Sequence, residues 1–88
     1  MADLTVHIVA ADREVWTGTA RQVVAKTTIG EMGILAGHEP VLATLAAGEV
    51  RVTPTDGGAV IRATADDGFL SFDHNVVTIV ARDAALIQ

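Results

Sequence analysis

The residues able to do chemistry in this chain are few and poorly placed to act together. His7, His38 and His74 are too widely spaced to form the i, i+2 or i, i+4 pairs that hold a metal ion on one strand or helix face. His7 falls on the polar side of an alternating segment and His74 in a turn, so both read as solvated. His38 lies in a loop between Gly37 and Pro40 and reads as a packing or contact residue. Asp66-Asp67 is the densest carboxylate pair. Neighbours on a strand point to opposite faces, however, and in a turn beside Gly68 both acids read as hydrated, not as a general acid and base.

The remaining motifs fare no better. Gly30-Glu31-Met32-Gly33 has glycines spaced like a phosphate loop, but no Gly-Lys-Ser/Thr follows and no helix begins there. Ser71 lacks the flanking glycines of a nucleophile elbow. No run of alternating oxygen donors ends in the distant Glu that a calcium loop needs. Trp16 reads as an anchor in a core or a subunit contact. No catalytic residue, metal site or cofactor is expected. For an enzyme this is a poor result; for an interaction module it is the ordinary one.

The elements that must carry these residues are strands. The chain has 88 residues, 50% of them hydrophobic and 19% charged, enough apolar content for one packed core. One domain, residues 1–88, is expected. Leu4, Val6 and Ile8 alternate with Thr5 and His7, the period of a half-buried strand. Val15 to Thr17, Arg21 to Thr28, Ile34-Leu35, Val41 to Leu45 and Val50 to Thr53 read as further short strands. So do Val60 to Ala65, Phe69 to Phe72 and Val76 to Arg82. Turn signals at Asp12-Arg13-Glu14, Gly18, Gly30 to Gly33, Gly37-His38, Gly48, Asp56-Gly57-Gly58, Asp66-Asp67-Gly68 and Asp73-His74-Asn75 separate them. The expected fold is all-β: a flattened barrel or β-sandwich of about nine or ten short strands. The single helix-like candidate is the tail Asp83 to Ile87, too short to hold a helix in water.

Charge narrows the partners. The net charge is −5, with one lysine, Lys26, and five dispersed arginines. Nucleic-acid binding needs clustered cations and usually stacking aromatics, and neither is present. An anionic membrane surface would repel the chain, and no apolar run approaches the length of a membrane span. The Met1-Ala2-Asp3-Leu4 start has neither the basic residues nor the long apolar block of a leader. There is no cysteine, so disulfides and thiolate chemistry are excluded. A lipoyl- or biotin-carrier domain would have a similar size and strand content, but it needs a lysine at a hairpin tip, whereas Lys26 lies within a predicted strand.

The block Gly30-Glu31-Met32-Gly33-Ile34-Leu35-Ala36-Gly37-His38-Glu39-Pro40-Val41-Leu42-Ala43-Thr44-Leu45-Ala46-Ala47-Gly48 resembles the signature of the epsilon subunit family of F-type ATP synthases, G-E-x-G-I-x-x-G-H-x-P-x-x-x-x-L-x-x-G. Trp16-Thr17-Gly18, Asp67-Gly68-Phe69-Leu70 and Asn75 to Ala81 fall in step with the same family. Ala36 stands where many members have Pro. Most members continue beyond the point where this sequence ends, into two antiparallel helices that carry an ATP-hydrolysis brake and, in some, an ATP site. Those roles are not expected here.

The resemblance implies a non-catalytic rotor subunit in the central stalk. It would sit at the cytoplasmic face of a bacterial plasma membrane, binding the gamma subunit and the rotor ring of c subunits and coupling proton transport to ATP synthesis without entering the membrane. It implies two surfaces. Thr28, Ile29, Gly30 and Glu31 would face the ring, with Glu31 accepting polar contacts and Ile29 acting as an apolar plug. Ala10, His38, Val41, Leu42, Ala43 and Thr44 would face gamma. The competing reading of Leu42 and Leu45 is that both are plain core. A generic β-sandwich adaptor is the remaining alternative.

Overall fold

Across the described residues, alternation of apolar and polar residues builds six strands, and the long ones bend. A computed structural model describes residues 3–87, so the Met1-Ala2 start and its reading as lacking a leader lie outside the described residues. The strands are β1 (Leu4–Ala10), β2 (Arg13–Thr27), β3 (Gly30–Leu35), β4 (Val41–Pro54), β5 (Ile61–Asp73) and β6 (Val76–Leu86). Their order is β1-β6-β5-β4-β2-β3, and a further β1–β2 pairing closes the sheet on itself. Every pairing is antiparallel except β1 with β6, which is parallel.

The registers resolve this closed sheet into two layers. The front layer runs β2 (first half), β1, β6 (first half), β5 (second half), β4 (start). The back layer runs β3, β2 (second half), β4 (second half), β5 (first half), β6 (end). Four strands therefore serve both layers, crossing between them at a corner. β2 turns the corner at a register shift between Ala20 and Gln22. β5 turns it at Asp67, whose φ of 59° is left-handed, between the paired residues Asp66 and Gly68. Strands that change layers at bends and bulges are the usual way to make the corners of a sandwich.

This corrects the strand count expected from the sequence. The nine or ten short strands are the segments of the two layers, and the chain joins them into six. Gly18, Gly48 and Asp66-Asp67-Gly68 lie inside strands and not at reversals; Gly48 and Asp66-Asp67-Gly68 sit where strands cross between layers, and Gly18 within a regular stretch of the β1–β2 ladder. A local signal for unusual φ does not say whether the chain bends or turns back; only the pairing does. Gly68 is required for a different reason. A Cβ there would lie 1.9 Å from the Val80 carbonyl oxygen, so the backbones of β5 and β6 meet at the corner with no room for a side chain. The tail is also corrected: Asp83 to Leu86 is strand, paired with Ala63 to Asp66, and the Ile87 amide donates to the Arg62 carbonyl.

True reversals occur elsewhere. His74 and Asn75, with φ of 48° and 61°, form a two-residue loop whose paired positive φ values match the right-handed twist of the flanking strands. Asp56 closes the β4–β5 connection by accepting the Gly58 amide at 2.8 Å. Between the layers lies one cluster of mostly branched aliphatic side chains around Phe72, including Leu4, Val6, Ile8, Val23, Ile34, Val50, Val52, Leu70, Val77 and Ile79, all essentially buried. Trp16 packs at its margin over Gly18. By size, stability is about 4–13 kcal/mol.

Candidate docking surface

With the inner faces spent on the core, function rests on the outer ones, and the two layers differ in charge, although Leu35 and Leu86 are exposed at the edges of the back one. The back layer is charged. Arg62 clasps Glu49 through two bonds, Nε to Oε1 at 2.6 Å and Nη2 to Oε2 at 2.9 Å. The guanidinium hydrogen bond holds the Glu49 carboxyl below the ordinary glutamate range and raises Arg62 in turn. Arg51, opposite Arg62 in the β4–β5 register, reaches the other way and donates to Glu31 Oε1 at 3.1 Å. Lys26 extends its stem over Gly48. It lies within β2, paired with Glu31 beside the β2–β3 turn and not in the turn itself, where a carrier domain's lysine would stand.

The front layer presents hydroxyl and apolar groups. Reading across the registers, one outward row is Leu42, Ser71, Thr78, His7, Thr17. The next is Thr44, Phe69, Val80, Val9, and it meets its first charged residue only at Glu14. Phe69 and Val76 are partly exposed, and Leu42 is 76% exposed. His7 is half-buried, not solvated as its polar position suggested. Its Nδ1–H donates to Thr17 Oγ1 at 3.3 Å, and the Thr17 hydroxyl donates to the Glu14 carboxylate. A surface poor in charge at its centre and rich in aromatic and aliphatic area has the composition of an interface core.

The two layers part where β4 begins. Its last bridge to β2 joins Thr27 and Leu45, and beyond it the Thr28 amide donates to the Thr44 carbonyl at 3.0 Å. From there β4 and the β2–β3 turn diverge. A groove of about 430 Å³ opens between them, lined by Thr27, Thr28, Ile29 and Met32 on one side and Pro40 to Thr44 on the other. The turn is fixed from below by Thr27, a buried polar residue whose hydroxyl donates to the Gly30 carbonyl at 2.7 Å and accepts from the Ile29 amide at 3.3 Å. Gly30 adopts φ of 121°, which lets the chain reverse there. Ile29 is thereby held 86% exposed.

The residues assigned to the ring from the sequence therefore form one hairpin tip. Thr28 and Ile29 line the groove, while Glu31 points to the back layer and is engaged by Arg51. Of the residues assigned to gamma, Val41, Leu42, Ala43 and Thr44 line the opposite wall. Leu42 and Leu45 part company: Leu45 is 5% exposed and belongs to the core, while Leu42 stands out in solvent. The apolar run Val41 to Leu45 thus follows ordinary strand alternation. His38 is exposed beside the groove; its ring meets Phe72 edge-on at 5.9 Å and Nδ1 donates to the Glu39 carbonyl at 2.7 Å. Ala10 is not brought to the others. It is buried at the far end of β1, three strands from Thr44, about 14 Å at the usual strand spacing.

Sequence reasoning missed Met32 as a groove residue, and Phe69, Val80 and Val9 as members of the outward row that Thr44 begins. The one available signal was the run Val76 to Ala81, whose apolar residues on both faces suit a strand with something on each side. Among the described residues, no three His, Cys, Asp or Glu converge as metal ligands, and no helix is long and apolar enough to cross a membrane.

A filled core, an ion-paired back and a charge-poor apolar front with an open seam define a small all-β docking module. The chain belongs to the family described as ATP synthase, Delta/Epsilon chain, beta-sandwich domain, which matches residues 3–87. It is 52% identical to the ATP synthase epsilon chain of Micrococcus luteus over 98% of this chain and 93% of that one. It is 47% identical to the epsilon chain of Streptomyces coelicolor over 97% of this chain and 68% of that one. Among solved structures it is similar to a chain of the Euglena gracilis mitochondrial ATP synthase assembly of OSCP, F1 and c-ring. That likeness has a TM-score of 0.89 and 26% identity, and this chain spans about half of that one (54%). The fold alone is shared with a chain of the Tetrahymena thermophila central stalk and c-ring, with a TM-score of 0.75 at 16% identity over 94% of this chain and 66% of that one.

Proposed function

We propose that this chain is a non-catalytic rotor subunit of the central stalk of an F-type ATP synthase. It binds the gamma subunit and the ring of c subunits and so couples proton transport to ATP synthesis. It acts as one β-sandwich unit spanning residues 1–88, peripheral to the energy-coupling membrane at the cytoplasmic face of a bacterial plasma membrane. Family membership supports the class of complex. The observation that carries the docking role is the exposure of Leu42 and Ile29 on a molecule whose core is already filled, since neither side chain is needed to complete the fold.

On this reading gamma covers the front layer from Leu42 and Thr44 toward Phe69 and Val80, with His38 at the edge. The tip Thr28 to Glu31 meets the ring. The requirement for such a part is stiffness and grip. A close-packed β core resists deformation, so torque entering at the tip reaches the front face with little loss. Mixing the purified chain with purified gamma tests the reading. A stable one-to-one complex by size-exclusion chromatography with light scattering is expected, and its absence would overturn the proposal.

A further inference from the structure

We propose that the groove at the seam receives an extended strand of the gamma subunit, which hydrogen-bonds to the backbone of Leu42. This rests on the docking reading above and names the form the partner takes at that surface.

The argument begins with the β4–β5 ladder. In an antiparallel pair, successive residues direct their N–H and C=O groups alternately toward and away from the neighbour. The Thr44 carbonyl accepts from Thr28, across the seam from β5. Thr44 therefore faces away from β5, Ala43 faces it, and Leu42 faces away again. The Leu42 donor and acceptor consequently point into the groove. Its register partner is Ser71 in β5, and no strand on its other side pairs with it among the described residues. The open stretch has fixed ends, because Pro40 has no N–H to offer on one side and Thr28 occupies Thr44 on the other. A short strand centred on Leu42 fits between them.

The groove also selects the occupant's chemistry. None of the residues that line it is charged, so a charged side chain inserted there would lose its hydration without gaining a partner. Glu39 is exposed at the Pro40 end and has no ion-pair partner among the described residues, in a chain of net charge −5. The fitting occupant is an extended, β-branched or apolar segment with a lysine or arginine beside it. Strand addition of this kind takes its affinity from main-chain bonds and its selectivity from alternate side chains.

Amide hydrogen exchange at Leu42, followed by NMR, tests this with two probes: purified gamma, and a short peptide of alternating valine and threonine with a lysine at each end. Protection of Leu42 by at least about tenfold is expected in the gamma complex and at saturating peptide. N-methylation of the peptide's central residue removes a main-chain donor and should weaken binding by about 2- to 10-fold. Glutamates in place of the terminal lysines should weaken it further. A stable gamma complex that leaves Leu42 exchanging at its free rate overturns the inference while the docking reading stands. Equal binding of the N-methylated peptide, or no change at Leu42 with either probe, overturns it as well. Peptide protection of Leu42 without any gamma complex supports the strand site and overturns the docking reading instead.

Discussion

Truncating Leu42 to alanine should cost affinity and leave the fold alone, whereas the same change three residues later should do the reverse. Full burial of a leucine side chain is worth about 1.5–3 kcal/mol. Leu42 is 76% exposed in the free chain, so about 1–2 kcal/mol of that is left for a partner to supply. Removing it should raise the Kd for gamma by about 5- to 30-fold. Stability should stay within about 0.5 kcal/mol, as at other exposed positions. Leu45 is 5% exposed, so Leu45→Ala should cost about 2–5 kcal/mol, a large share of the total for so small a chain. The assays are urea denaturation of each variant and titration of gamma by calorimetry. The reasoning fails if Leu42→Ala binds gamma as tightly as wild type, or if it loses as much stability as Leu45→Ala.

Three further outcomes are expected. Gly68→Ala brings a methyl group into the Val80 carbonyl oxygen and Ala81 Cα, both backbone, and should destabilise by about 2–3 kcal/mol; a thermal scan should show Tm falling by roughly 8–24 °C. Glu49 has a lowered carboxyl pKa in the folded state because of its bond to Arg62, so its contribution is present above the unfolded pKa and is lost as pH falls through the folded one. Urea midpoints measured from pH 7 to 3 should therefore show wild type losing its advantage over Glu49→Gln below about pH 4.3, and parallel curves would contradict the assignment. Glu31→Arg breaks an exposed pair with Arg51 and should change stability by no more than about 1 kcal/mol. In reconstituted vesicles it should impair proton-driven ATP synthesis while gamma binding persists, and equal loss of both would argue against separate ring and gamma surfaces.

What the sequence settled by itself was local and compositional. The period of two from Leu4 to Ile8 and the turn residues require an all-β body, because side-chain alternation is a property of the strand alone. The Gly30–Gly48 block identified the family for the same reason: a turn needing φ of 121° at Gly30 and an exposed His38 leave a residue-by-residue trace. Other features depended on which strands lie side by side. Gly18, Gly48 and Gly68 look alike as turn signals, yet all three lie inside long strands, Gly48 and Gly68 at layer crossings, since only the pairing of β2, β4, β5 and β6 with both layers fixes where the chain changes direction. Leu42 and Leu45 look alike as apolar residues of one run. One is solvent-facing and the other core because register with Ser71 and with Thr27 sets their faces. The front face itself joins Leu42, Phe69, Val80 and Val9 from four separate strands, and the seam beside it exists because β4 leaves β2 at Thr44. Long-range register decided both, and no local pattern in the chain records it.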